Sequence, residues 1–358
     1  MANLSPWTPL HAQLHRILRD RHLLPRNQPL LVAVSGGQDS LCLIKLLLDL
    51  QPKWGWHLGI AHCDHRWRSD SQANANHVEQ LARTWKVPFY LETAPEMPSI
   101  TSEAAARQWR YQALSAIAQN NNFPYIVTGH TASDRAETLL YNLMRGSGAD
   151  GLQALTWQRP LTSTLHPTLQ LVRPLLEVTR AQTAQFCQEF QIPVWEDSTN
   201  QDFKYARNRI RQELLPYLQT HFNPQVEQAL AKTAELLRAD VQYLEEAAQK
   251  LLQQALENED SPSPLSPQHG QGDAASKALS IDQRLDKRLN RLVLRQAPLA
   301  LQRRVMRHFL ASVLPIAPSF EQIEKLTALI TAPNRSQTDP FPGGAIAQVD
   351  GAWISIKN

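Results

Sequence analysis

From Leu30 to Glu196, short runs of β-branched and apolar residues alternate with longer segments in which apolar positions recur every three or four residues. The runs LLVAV (30–34), HLGIA (57–61), PFYLE (88–92) and PYIVTG (124–129) predict strands, and SLCLIKLLLDL and EAAARQWRYQALSAIAQ predict helices between them. Strands alternating with helices imply βαβ units, hence an α/β fold with a doubly wound, mostly parallel sheet covered on both faces. Ligands of such sheets gather beyond the carboxyl ends of the strands. The segments SGGQDS (35–40), AHCDH (61–65) and GHTASD (129–134) all fall at such ends and should meet on one rim.

After Pro216 the strand signals stop, and residues 223–257 read as one long amphipathic helix. The stretch NEDSPSPLSPQHGQGDAAS (258–276) is rich in Pro, Gly and Ser, has no apolar period, and is expected to be disordered. Helical patterning resumes over 280–331, and PGGAIAQVDGAWISI (342–356) reads as a β-hairpin. The expected division is therefore an α/β domain over 1–216 and a mainly helical C-terminal domain over 217–358. Composition adds modest constraints: 358 residues at 42% apolar can bury a sizeable core. The three cysteines, Cys42, Cys63 and Cys187, have no paired spacing, which argues against a disulfide framework and for a reducing compartment. No apolar leader and no long apolar run stand out, so the expected location is the cytoplasm and no membrane partner is expected.

The turn SGGQDS joins a strand to a helix. Glycines let amides approach an anion, the helix N-terminus adds unpaired donors, and Ser35 and Ser40 add hydroxyls. This is a phosphate cradle, but not a Walker A loop, because the lysine of that motif is absent. Asp39 stands there instead, and a carboxylate beside phosphate oxygens makes electrostatic sense when a cation such as magnesium lies between them. The alternative is an ordinary capped turn, since Ser and Asp are common at helix starts. A second glycine pattern, GSGADG (146–151), follows a helix rather than a strand, so it is a helix C-terminal cap and not a dinucleotide fingerprint.

SGGQDS looks like the signature of the PP-loop ATP pyrophosphatases, the adenine nucleotide alpha hydrolase-like enzymes that cleave ATP between its α- and β-phosphates. Within them the chain resembles the tRNA(Ile)-lysidine synthases in AHCDHRWR (61–68), EAAARQWRY (103–111), GHTASDRAETLLYNLMRGSGADGL (129–152), RPLL (173–176), EDSTN (196–200) and RNRIRQELLP (207–216). The resemblance implies an enzyme that adenylates C2 of the wobble cytidine in the CAU anticodon of tRNA(Ile). Free L-lysine then displaces AMP to give lysidine, and ATP and magnesium are the implied cofactors. It implies that Ser35, Gly36, Gly37, Gln38, Asp39 and Ser40 hold the ATP phosphates, with His62 and His130 nearby. Asp39 and Asp134 would face magnesium, and Arg107 the activated substrate. Glu137 and Glu196 are candidates for the lysine ammonium. The family usually has two adjacent acids where this chain has Ser133 and Asp134, and Trp67 stands where the family has Leu. His62 and His65 flank Cys63 and Asp64, but a fourth zinc ligand is missing, so a nucleotide or RNA contact at a strand-end loop is the better expectation.

Charge marks the RNA side. FKYARNRIR (203–211) carries Lys204, Arg207, Arg209 and Arg211 interleaved with Phe203 and Tyr205 and no acid, which suits phosphate contacts and base stacking. Arg207 and Arg211 are accordingly counted among the catalytic-site candidates. Residues 284–307 hold Arg284, Lys287, Arg288, Arg291, Arg295, Arg303, Arg304 and Arg307 against Asp286, which fits a second tRNA-contacting surface. Arg107 and Arg110 share a helix face. Two other functions compete: a tRNA thiolase, which would need a thiol relay, and an RNA-binding protein without catalysis. A homodimer stays open.

Overall fold

The computed structural model describes residues 7–66, 70–95, 103–161, 169–195, 203–204, 206–256, 288–314 and 316–357. The chain divides into two compact units, one ending at Arg238 and the other starting at Ala239. The division falls inside a long helix, whereas the sequence pattern places the domain change at 216/217. The strands of the first unit are β1 (Pro29–Ala33), β2 (His57–Asp64), β3 (Phe89–Thr93), β4 (Tyr125–Thr128), β5 (Gln158–Pro160) and β6 (Gln170–Val172). Its helices are α1 (Pro9–Asp20), α2 (Gln38–Trp54), α3 (Ser71–Thr84), α4 (Glu103–Asn120), α5 (Ala132–Met144), α6 (Ala149–Leu152), α7 (Arg180–Glu189), α8 (Ala206–Arg209) and α9 (Leu215–His221). A one-turn π-helix, Ile210–Leu214, lies between α8 and α9, and α10 (Val226–Ala255) follows.

The sheet order is β3-β2-β1-β4-β6-β5, parallel throughout except for the antiparallel edge pair β5–β6. The four expected strands are present. The three-residue edge strands β5 and β6 are too short to show a period, and their pairing comes from the sheet edge they close. Central β1 buries Leu30, Leu31 and Val32 completely, because both faces of the sheet are covered. One core packs α2 against α1 and α7 on one face, with Leu41, Leu43, Leu46 and Leu47 fully buried; another gathers Leu31, Leu114, Ile126 and Leu171. The winding reverses between β1 and β4: the chain steps from β1 to β2 and β3, then returns to the other side of β1. The carboxyl ends of β1 and β4 therefore flank a switch-point crevice.

The AHCDH segment is not the loop expected from the sequence. β2 runs on through Asp64, and His62, Cys63 and Asp64 pair in register with Leu91, Glu92 and Thr93 of β3. Gly146 has φ 73° just past α5, as a helix cap requires. Among the described residues no helix is long and apolar enough to cross a membrane.

The second unit has β7 (Arg288–Asn290), β8 (Ile346–Asp350) and β9 (Trp353–Lys357) in the antiparallel order β7-β9-β8. Its helices, after the last part of α10, are α11 (Arg291–Arg295), α12 (Leu299–Val313) and α13 (Phe320–Ala328). The expected tail hairpin is β8–β9, and β7, inside a region expected to be helical, completes it to three strands. Leu289, Met306, Phe309, Ile354 and Ile356 form its core. Glu245 accepts from Arg304 at 3.1 Å and from Arg307 at 2.9 Å, so part of the basic run is engaged within the unit. The expected disordered stretch 258–276, Glu196, Trp67, Tyr205, Arg284 and Lys287 lie outside the described residues.

The close approach of β4 to the start of α2 depends on a glycine. A Cβ on Gly129 would stand 2.8 Å from the Asp39 carbonyl oxygen and 2.9 Å from its carbon, and both are backbone atoms. Gly129→Ala should therefore destabilise the protein by about 1–3 kcal/mol in urea unfolding. Gly148→Ala, where a Cβ meets nothing within 4 Å, should change it by less than about 0.5 kcal/mol. Equal midpoints for the two variants would remove the packing explanation.

Candidate active site

At the end of β1 the chain turns through Ser35 to Gly37 into α2, with Gly37 as the N-cap. Gly36 has φ 89°, and a Cβ there would stand 2.3 Å from Asn74 Oδ1, so both backbone and space call for glycine. The turn is held from outside: Asn74 Nδ2 donates to the Ser35 carbonyl at 3.0 Å and Trp195 N to the Gly36 carbonyl at 3.0 Å. Ser40 Oγ accepts from Ser35 N at 3.1 Å and donates to the Gly37 carbonyl at 2.9 Å. With its carbonyls tied back, the turn offers an incoming anion amides and hydroxyls rather than lone pairs. Gln38 does something else. Its side chain donates to the Arg180 carbonyl at 2.8 Å and to Thr183 Oγ1 at 3.2 Å, locking α2 to α7.

Beside the turn, three carboxylates meet one guanidinium. Arg180 donates through Nε to Asp39 Oδ2 at 3.2 Å, through one terminal nitrogen to Asp134 Oδ1 at 2.9 Å, and through the other to Glu137 Oε1 at 2.9 Å. Thr183 Oγ1 also donates to Asp39. Asp134 is the third residue of a capping box: its Oδ2 accepts from Thr131 N at 2.7 Å and Thr131 Oγ1 at 2.8 Å. One oxygen thus starts α5 and the other faces Arg180, so capping leaves the second oxygen directed at the site. Burial would raise the Asp134 carboxyl, but Arg180, His130 and the Thr131 bonds outweigh it and hold it low. For Asp39, burial wins with help from Asp134, against Arg180, and its carboxyl lies above the usual range. Arg211 forks onto Glu137 at 2.7 and 2.9 Å, which makes it a holder of that carboxylate. Ser133, in the place of the family's first acid, is buried, donates to Glu227 Oε2 at 2.5 Å and accepts from Arg180 N at 3.1 Å.

A cleft of about 420 Å³ is lined by Ser35, Asp39 and Ser40 together with His130, Asp134, His65, Arg110 and Tyr111. That volume suits a nucleotide-sized ligand. His62 lies in its wall, buried, with Nδ1 2.8 Å from the Val34 carbonyl. His130 Nδ1 is 2.9 Å from Thr128 Oγ1, and burial with Arg173, Arg107 and Arg110 around it keeps the ring neutral despite Asp134. His65 accepts from Arg110 at 2.8 and 3.1 Å, and burial plus that guanidinium push its pKa down to about 4. A histidine committed to an arginine donor is no zinc ligand, and among the described residues no three His, Cys, Asp or Glu side chains converge on a metal position. Asp39 and Asp134 do converge on one cation, the Arg180 guanidinium, and carboxylate oxygens are the donor type that magnesium takes. Arg107 lies over the Tyr111 ring at 5.6 Å and Arg207 over Tyr141 at 5.9 Å. Cys42 and Cys187 are buried, and burial pushes both thiols up, Cys187 to about 12. Cys63 is likewise raised to about 12. Thiols so far from ionisation are poor members of a sulfur relay.

The sequence pattern misses Arg180, Thr183, Gly129 and Tyr111 as site residues. One signal was available for Arg180. It follows Thr179 in a capping box closed by Gln182, and a cation in the first turn opposes the helix dipole, which points to counter-charges outside the helix.

A family model described as the PP-loop domain matches residues 7–218, and one described as the TilS substrate binding domain matches residues 289–351. The chain is 70% identical to the tRNA(Ile)-lysidine synthase of Nostoc sp. strain PCC 7120, covering 98% of each chain. It is 49% identical to that of Synechocystis sp. strain PCC 6803 over 97% of each. It is 34% identical to the chloroplastic one of Zygnema circumcarinatum over 91% of this chain and 81% of the relative. Among solved structures, a U34-tRNA thiolase from Methanococcus maripaludis superposes with a TM-score of 0.54 at 13% identity, covering 64% of this chain and 78% of its own, a likeness of fold.

Two outcomes test the electrostatics of the site. Arg180→Met leaves three carboxylates without their shared cation and should cost about 1–3 kcal/mol, less than a fully buried pair because the side chain is 26% exposed. Asp39→Asn in the same chain should restore part of that loss, and a purely additive double variant would contradict the shared-cation geometry. Between its ordinary 6.5 and about 4, His65 is protonated in the unfolded chain and neutral in the folded one, so its contribution falls as pH drops through that window. His65→Gln should accordingly lose less Tm than the parent between about pH 7 and about pH 5. An equal loss would place the proton-linked instability elsewhere.

Proposed function

The chain belongs to the tRNA(Ile)-lysidine synthase family, and from that premise we propose how its residues carry out lysidine formation. The enzyme joins lysine to C2 of the wobble cytidine in the CAU anticodon of tRNA(Ile), using ATP and releasing AMP and pyrophosphate. The cytosine carbonyl oxygen is a poor leaving group in water, and adenylation converts it into a good one. The amine of free lysine then forms the new C–N bond as the C–O bond to AMP breaks, and the amine gives up its proton. The observation that carries the assignment of roles is the convergence of Asp39 and Asp134 beside the Ser35–Ser40 turn, at the switch point of the sheet.

In this mechanism the amides and hydroxyls of Ser35, Gly36, Gly37 and Ser40 cradle the ATP phosphates at the start of α2. Gln38 keeps that helix against α7, and its side chain takes no phosphate. Asp39 and Asp134 would hold magnesium, which supplies positive charge to the departing pyrophosphate. Arg180 neutralises the same carboxylates and keeps them in register. His130, neutral, offers a hydrogen bond without adding charge, and Arg107 lies where a guanidinium can meet phosphate oxygens. Glu137 has both oxygens on Arg211 and one on Arg180, so a lysine ammonium would have to share it with them. His62 shapes the wall. Arg207 and its basic neighbours are proposed to meet RNA phosphates, and Arg211 to act on the reaction through Glu137. The cytoplasm is the proposed location.

The test is incorporation of radiolabelled lysine into tRNA(Ile) with ATP and magnesium. Label that requires ATP and resists mild alkaline deacylation is expected, because a base adduct is not an ester. Asp39→Ala should lower incorporation at least about 100-fold while leaving tRNA retention on filters unchanged. Retained tRNA with no label in the parent enzyme would point to a binding protein instead. Arg207→Ala should flatten the slope of log affinity against log salt by about 0.7–0.9, one phosphate contact. An unchanged slope would remove it from the RNA surface.

A further inference from the structure

We propose that a second phosphate-binding site adjoins the cleft at Tyr111, where Arg107, Arg159 and Arg173 hold an oxyanion against that ring. The proposal rests on the cleft being where ATP and RNA meet. The other deeply placed arginines of this unit each have a carboxylate: Arg135, 1% exposed, pairs with Glu235 at 2.6 Å, and Arg180 is shared by three acids. Arg173 departs from that pattern. It is 2% exposed, donates to the Thr156 carbonyl at 2.7 Å and to the Tyr111 hydroxyl, and its Nε, like that of Arg135, has no hydrogen-bond partner among the described residues.

Two more guanidiniums surround the same ring, Arg159 at 5.0 Å and Arg107 at 5.6 Å from its centroid. Besides burial, the strongest influences on the phenol are these arginines. Burial would raise the Tyr111 hydroxyl, yet the arginines overcome it and draw it below the usual tyrosine range. Arg173 is buried and Arg107 and Arg159 are half-buried, and among the described residues none of the three pairs with a carboxylate, which is costly for the buried one. Planar guanidinium forks match phosphate oxygens, and a phosphate would supply the missing charge.

The cluster also reaches the reacting region. Tyr111 and Arg110 line the cleft together with His130, whose ring responds to Arg173, Arg107 and Arg110. The three arginines come from different places in the chain: Arg107 shares a face of α4 with Tyr111, Arg159 lies on β5, and Arg173 just follows β6. The short antiparallel edge pair thus brings two cations to a parallel-sheet site. Two sources could provide the phosphate: an RNA backbone group near the target base, or the pyrophosphate released from ATP.

Arg159→Ala is the first variant, because this half-buried edge-strand residue is the most readily replaced of the three. Binding of a tRNA(Ile) transcript across a salt series, binding of inorganic pyrophosphate and binding of ATP are measured separately. If RNA fills the site, tRNA affinity falls about tenfold and the salt slope flattens by about 0.7–0.9, while pyrophosphate binding holds. If pyrophosphate fills it, that affinity falls about tenfold and the tRNA slope is unchanged. ATP affinity stays within about twofold of the parent in both cases. Unchanged tRNA and pyrophosphate binding overturns the proposal. Should Arg159→Ala lose its cooperative melt, Tyr111→Phe, which removes only the oxygen that orients Arg173, is measured in the same way and judged by the same outcomes. A parent enzyme that binds both probes but incorporates no lysine would defeat the functional reading and leave this site standing.

Discussion

A single guanidinium makes the active region possible. Asp39 comes from the first turn of α2 and Asp134 and Glu137 from the first two turns of α5, so three carboxylates are gathered in one partly buried place. Left to themselves they would repel and take up protons. Arg180, in the first turn of α7, touches all three, and its own charge is reinforced in return. Three helices begin at the same rim because the sheet is parallel and each follows a strand or its extension. Their N-terminal dipoles favour anions there, which offsets the cost of gathering acids and makes the cation at the head of α7 tolerable.

That arrangement explains why the phosphate turn alone would not identify a reaction. A glycine turn at a helix start binds any small anion. Specific chemistry comes from what stands beside it, and here the neighbours are hard oxygen donors held at fixed spacing by a rigid hydrogen-bond frame. Gln38 and Thr183 close the frame between α2 and α7, and Thr131 sets the orientation of Asp134 by occupying one of its oxygens. The remaining oxygen is thereby aimed with little conformational freedom left to lose on binding.

Much of the first unit was legible because its signals are local and periodic. Apolar runs such as Leu30 to Val34 report a strand buried on both faces, and the Ser-Gly-Gly turn reports a strand-to-helix junction. The extension of β2 through Asp64 was hidden because His62 and Asp64 are polar, and only their buried, sheet-paired setting reveals a strand. The edge pair β5–β6 was hidden because three residues have no period. Arg180 and Arg173 were hidden for another reason: an arginine's role depends on partners distant in the chain, Asp39 in the one case and Tyr111 in the other. Arg211 shows the converse. It lies in a basic run that suggests RNA contact, yet its fork is spent on Glu137.

Carboxylates and arginines line the cleft together, Asp39, Asp64 and Asp134 with Arg66 and Arg110, and His130 feels both signs of charge. Asp134 favours its protonated form, while burial and three arginines favour the neutral one, and the neutral form prevails. The same balance bears on any amine brought to that position. Lysine attacks only as the free base, and an ammonium placed beside His130 would meet the desolvation and the positive field that strip the imidazole of its proton. A site built wholly of acids would hold the ammonium tightly and keep it unreactive; one built wholly of arginines would keep it out.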